Sequence, residues 1–374
     1  MTGILSRGAL FGLTMFLGAG MAAQAQEDGP PERTRATTAD NKLAVVENAI
    51  DAFIRPGYGD FHESADVAVE AMESLCTHPG GAALATARDS FADLAGSWSR
   101  IEFVRFGPVL EDNRLEKILF FPDRRGIALR QIQGILGSRD ESATTAQSLA
   151  GKSVAVQGLG ALEFVLFGTD ADTLAVDGDA FRCSYGRAIA RNLAGIAADL
   201  DAGWADADGI AARLTRPNAA DPAWRSATDS LQEIVGIFIH GFEVIRDLRL
   251  RPAMGESAED ARPNLLLFPR SELALASLRA NFAGMRDLFV TSEVVSLLPA
   301  PQTYLGDSIR FEFANADRTL AALAPPLADV AAQPEQRQEL TYLLIVTDSL
   351  QSQFADQLSP SLGLSTGFSA LDGD

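Results

Sequence analysis

Glu163 is the only charged residue between Lys152 and Asp170. It lies in the run Gly158-Leu159-Gly160-Ala161-Leu162-Glu163-Phe164-Val165-Leu166-Phe167-Gly168. A carboxylate in so apolar a run is solvated, paired or functional, because an unpaired buried charge is costly. Helical spacing puts Gly160 and Glu163 on one face. The glycines weaken a helix, each by up to about 1 kcal/mol against alanine, and permit a kink or a close backbone approach. The competing reading is a packed helix with Glu163 salt-bridged or at its rim. His240 and Glu243, at i and i+3, could supply two metal ligands, as in carboxylate-rich metal bundles. No second such pair accompanies them, so the plainer reading is a histidine paired with its own acid. Glu102 and Arg105 lie three apart and can pair at a helix end. Ser271 and Glu272 read as a helix start, with Ser271 as N-cap, which leaves Arg270 unexplained. His62 and His78 are isolated and suggest no catalysis.

Other chemistries are missing their residues. The sequence has no Walker A loop and no HExxH helix. It has no CxxC and no EF-hand loop. Two cysteines exclude a disulfide-dense scaffold, and three histidines leave little room for a histidine-rich metal site. The balance of 31 Lys+Arg against 50 Asp+Glu gives a net charge of −19, which argues against a nucleic-acid partner.

These residues need elements to position them. The 374 residues suffice for about two domains, and 47% apolar with 22% charged residues is ordinary for a globular chain. Met1 to Ala25 has a short n-region with Arg7, an apolar stretch from Gly8 to Ala23, and an Ala23-Gln24-Ala25 cleavage site. That is the pattern of a secretory signal peptide, and the expected location is the periplasm. No later stretch is apolar enough to span a membrane. In an oxidising compartment Cys76 and Cys183 read as a disulfide, against the alternative of two buried thiols. Residues 26–40 read as a flexible leader.

Beyond the leader the helical period dominates. Leu43 to Ile54 reads as a helix stopped by Pro56 and Gly57. Further helices are expected at Tyr58 to Cys76, Ala82 to Phe106, Arg124 to Leu136, Ser142 to Phe167 and Asp179 to Asp206. Asn113 to Phe121 reads as a short strand or bent connection. Ala207 to Asp221 is polar and marks a boundary. Pro222 to Leu250, Ser271 to Val290, Asp307 to Ala322 and Pro334 to Leu358 complete the second half, with Arg251 to Phe268 as a loop. The expected fold is all-α, with helical-bundle domains at 41–207 and 222–374.

In this order the segments resemble the imelysin family, also called M75 peptidase-like. Ser74-Leu75-Cys76 before Pro79, Trp98 and Arg105-Phe106-Gly107-Pro108 resemble its first-domain helices. Ile118 to Asp123 resembles its FWPD connection, with Phe121 where tryptophan is common. Gly158 to Gly168 resembles its GxHxxE stretch, and Pro269-Arg270-Ser271 its second-domain helix start. Leu362 to Asp374 resembles its GFNxLDGD ending. The resemblance implies a duplicated helical bundle, an envelope protein linked to iron uptake, and a site around GxHxxE near the domain junction. Peptidase activity has been attributed to some members.

The chain departs from that motif where the chemistry is. Gly160 stands at the histidine position and has no ligand atom, while a zinc peptidase usually needs three protein ligands. The expectation is therefore a non-catalytic protein binding a ligand or partner in an inter-domain cleft. Gly158, Gly160, Glu163, Glu102, Arg105, Arg270 and Ser271 would line it. The implied ligand is iron or an iron chelate, and the implied partners are envelope iron-uptake components. One alternative is a metallopeptidase with a variant site using Glu163 and His240. Another is an adaptor with a decayed site.

Overall fold

The computed structural model describes residues 37–176, 180–324 and 326–365. The expected signal peptide, the expected leader up to residue 36 and residues 366–374 lie outside the described residues. Every regular element described is helical, and no strand occurs among the described residues.

The first helix, α1 (Ala39–Ala49), begins one residue before the expected end of the leader, capped by the Thr38 hydroxyl, which accepts from Asn41 N–H. Pro56 and Gly57 do not stop it. Ile50–Ile54 widens to a π-helix, and the chain continues into α2 (Arg55–Thr77). Proline lacks an N–H and is tolerated in a first turn, so a widened turn just ahead of it lets the helix continue. α3 (Gly81–Ile101) ends five residues earlier than its periodicity predicts. The buried Tyr58 hydroxyl donates to Val104 O at 3.1 Å, in the non-helical chain beyond it. Asn113 to Phe121 forms a short helix, Arg114–Ile118, and then an extended segment with a cis Phe121–Pro122 bond.

α4 covers Ile127–Ser138. The expected long helix from Ser142 breaks into short turns, and only α5 (Leu159–Phe167) is a sustained piece. α6 is Ala180–Ala205. In the second half, α7 (Ala227–Glu243) runs through a π segment, Val244–Leu250, into Arg251–Met254. The expected loop therefore starts four residues late. α8 (Ala274–Thr291), α9 (Tyr304–Ala322) and α10 (Pro334–Ser352) follow, the last prolonged by a third π segment, Gln353–Leu358.

α2 packs between α3 and α6, and α5 rests on α6. α9 packs on α8 and α10. Packing also crosses the two sequence halves, with α1 against α7 and α3 against α8. One hydrophobic core runs from Val45 to Leu364, and the described residues form a single compact unit. Aromatic pairs reinforce it: Phe61 tilts on Trp98 at 5.1 Å and Phe238 stacks on Phe354 at 4.2 Å. Cys76 at the end of α2 and Cys183 at the start of α6 form a disulfide with Cα atoms 5.6 Å apart. No described helix is long and apolar enough to cross a membrane.

Candidate functional site

Gly158 caps the N-terminus of α5. A Cβ there would sit 2.3 Å from Lys117 O and 2.4 Å from Ile118 O, so only glycine fits against that backbone. Gly160 is the opposite case: a Cβ would meet nothing within 4 Å. One turn on, the Glu163 side chain is almost fully buried, at 2% exposure. Its Oε1 accepts from Arg270 N–H at 2.9 Å, from Ser271 N–H at 2.9 Å and from the Ser271 hydroxyl at 3.0 Å. The Arg270 guanidinium lies 3.6 Å from Oε2 and 5.0 Å over the Phe164 ring. Glu163 is therefore neither solvated nor unpaired.

These bonds correct the reading of Ser271. α8 begins only at Ala274, capped at Leu273, and Ser271 gives both its donors to Glu163. Phe268 and Glu272 adopt left-handed backbone, φ 53° and 60°. The turn between them closes around the distant carboxylate instead of starting a helix.

The pocket beside Glu163 has a volume of about 460 Å³. Phe121, Asp123, Arg124, Gly160, Glu163 and Arg270 line it, together with the apolar Leu265–Phe268 stretch. The Asp123 carboxylate caps α4, accepting from Ile127 N–H at 2.7 Å and Ala128 N–H at 2.9 Å. Both acids of the lining thus face backbone donors, and Arg124 and Arg270 balance their formal charge.

Glu102 and Arg105 do not reach this pocket. They line a neighbouring one of about 190 Å³, and Leu119 to Pro122 form a wall common to both. Nor do the two side chains pair with each other. α3 ends before Glu102, so the helical i,i+3 geometry is lost. The buried Glu102 carboxylate takes Arg249 at 2.5 Å and Asn281 Nδ2 at 2.7 Å. Arg249 also donates to Ser277 Oγ at 3.0 Å, which meets Ser99 Oγ at 2.7 Å. Arg105 donates only Nε to the Glu102 carbonyl, at 3.3 Å. Burial lowers the affinity of its guanidinium for the proton, while Glu102 opposes the shift.

His240 lines a third pocket, of about 530 Å³, with Arg105 and Glu233. Its Nδ1 is 3.5 Å from Glu243 Oε2, and it is absent from the lining beside Glu163. Among the described residues no three His, Cys, Asp or Glu side chains gather to hold a metal ion. With Glu163 Oε1 already engaged by three donors, the residues here do not fit a peptidase metal centre.

The periodic reading missed Arg249, Ser277 and Asn281. All three sit on faces where the apolar period predicts only packing, and the π segment carrying Arg249 has no sequence signature.

Comparison with known proteins agrees with this architecture. An imelysin-like protein from Psychrobacter arcticum 273-4 superposes with a TM-score of 0.76 at 20% identity, over 88% of this chain and 98% of that one. A candidate iron-regulated protein A precursor from Parabacteroides distasonis ATCC 8503 gives 0.69 at 15% identity, over 85% and 96%. These likenesses establish the fold. No curated protein matches the chain. The family model for imelysin (peptidase M75) matches residues 54–356. That match takes in α2, the Phe121–Pro122 connection, Glu163 and the Arg270–Ser271 turn, and the chain belongs to the imelysin family.

Proposed function

We propose that this protein is a non-catalytic, periplasmic member of the family that binds a negatively charged iron chelate in the pocket between Gly160, Glu163 and Arg270. The carrying observation is the state of Glu163. Its acceptor oxygen is filled by the Arg270–Ser271 turn, so it acts as a clamp that holds Arg270 at the pocket. A carboxylate so engaged is a poor metal ligand or general base. The open space at Gly160 leaves room for a ligand group where a ligating side chain would stand. Apolar walls with two guanidiniums suit a chelate better than a bare cation. The setting in iron uptake rests on family membership and on the iron-regulated name of one structural relative.

The test is calorimetric titration of residues 26–374 with ferric citrate, with a ferric catecholate chelate and with iron alone. The expected result is saturable chelate binding, weakened about tenfold in Arg270→Ala, and no stoichiometric uptake of bare iron. Bare-iron binding lost in Glu163→Ala would replace this reading with a metal site. Binding of neither chelate would leave an adaptor role.

A further inference from the structure

The 190 Å³ pocket presents an arginine whose terminal nitrogens have no hydrogen bond to the described residues. Trp98, Glu102, Arg105, Glu116, Phe121 and Arg249 line it. Glu102 and Arg249 are each buried, at 3% and 4% exposure, and they neutralise one another at 2.5 Å. Arg105 feels the charges of Glu102 and Glu116 but makes no direct ion pair with either. Its one hydrogen bond to the described residues goes from Nε to a backbone carbonyl, and its two terminal nitrogens have no partner among them. Arg105 is only partly buried, so water reaches its terminal nitrogens, and a ligand acceptor that replaces that water keeps the fork hydrogen-bonded. Among the described residues the chain places no acceptor against them. Glu116 lines the same pocket but is exposed and makes no hydrogen bond to Arg105.

We infer that this pocket is a second binding site, for a small monocarboxylate whose carboxylate pairs with Arg105. A planar guanidinium fork matches a carboxylate with two parallel hydrogen bonds. Glu102 and Glu116 in the lining disfavour a doubly charged anion such as phosphate more than a singly charged carboxylate. The remaining walls, Trp98, Leu115, Leu119 and Phe121, suit a short apolar tail. Arg249 lies with its guanidinium carbon 5.6 Å from the centre of the Phe121 ring, which fixes the wall opposite. The inference is independent of chelate binding beside Glu163.

Propionate is the probe, titrated into residues 26–374 at constant ionic strength with chloride as balance, phosphate as comparison, and thermal unfolding as readout. A ligand that binds only the folded chain raises its melting temperature in a saturable way. The expected result is a saturable rise with propionate and none with phosphate. Arg105→Gln abolishes the rise and Arg105→Lys retains a weaker one. Glu116→Gln, at an exposed position, tightens binding about threefold or more by removing a like charge. That direction decides the matter should Arg105→Gln fail to fold. The rise persists in Arg270→Ala. No saturable rise in either the parent chain or Glu116→Gln would mean that water alone fills the pocket, and would overturn the inference. So would a rise that survives Arg105→Gln, or one that Arg270→Ala removes.

Discussion

A carboxylate buried in an apolar helix has to find donors, and Glu163 finds them on a turn 107 residues further along the chain. Sequence singled out both partners but not the bond. Ser271 followed by Glu272 looks like a helix cap, and a local cap and a distant acceptor leave the same residue types behind. Glu102 with Arg105 misled in a similar way, because helical spacing means nothing once the helix has ended. The bonds to Glu163 set an order of stabilities. Glu163→Ala orphans the Arg270 and Ser271 donors and is expected to cost about 3 kcal/mol in urea unfolding. Glu163→Gln keeps an acceptor oxygen in place and costs less. Ser271→Ala removes only the hydroxyl and costs about 1 kcal/mol. Equal losses for Glu163→Ala and Glu163→Gln would show that the acceptor does not hold the turn.

At the scale of elements, periodicity located most of the helices, because an apolar stripe of period 3.6 is printed in the sequence. The widened segments at Ile50–Ile54, Val244–Leu250 and Gln353–Leu358 were not legible. One extra residue in a turn scarcely alters the stripe. The break-up of Ser142 to Phe167 was half legible, as its glycines signalled weakness without saying where the chain turns. Two of those glycines now separate. Gly158→Ala drives a methyl into the Lys117 and Ile118 carbonyls and is expected to cost several kcal/mol, on the order of an overpacked core site. Gly160→Ala meets open space and is expected to stabilise α5 by up to about 1 kcal/mol. Chemical denaturation of the two variants side by side checks both signs. The connection leading to α5 is fastened by Asp140, which accepts from Lys152 Nζ at 2.8 Å. That bond and those from Ser142 hold the Asp140 carboxyl down at about 2. A depressed carboxylate contributes stability above its unfolded pKa and loses it as pH falls through the folded value. The melting-temperature gap between the parent chain and Asp140→Asn should therefore close between about pH 4 and pH 2.

At the scale of the whole molecule, the all-helical fold was readable from the periodicity, and a region shared by both halves was implied only by the family resemblance. The division of that region into neighbouring pockets was not. It depends on which distant side chain reaches each carboxylate: Ser271 for Glu163, and Arg249 with Asn281 for Glu102. Such pairings follow from the packing of α3 on α8, which no local pattern encodes. The pockets need α5 held firmly, and α6 holds it: Arg182 donates to Val165 O at 3.1 Å, one residue from Cys183. The Cys76–Cys183 bond ties α6 to α2 across a sequence separation of 107 residues. A crosslink closing so long a loop restricts the unfolded chain strongly, by about 4–5 kcal/mol in the loop-entropy model. The double variant Cys76→Ser/Cys183→Ser is accordingly expected to lose about 4 kcal/mol in urea unfolding at neutral pH. A loss under about 1 kcal/mol would mean that the unfolded chain already keeps α2 and α6 together. The core around Met72 and Gly186 would then fasten them without the sulfur bridge.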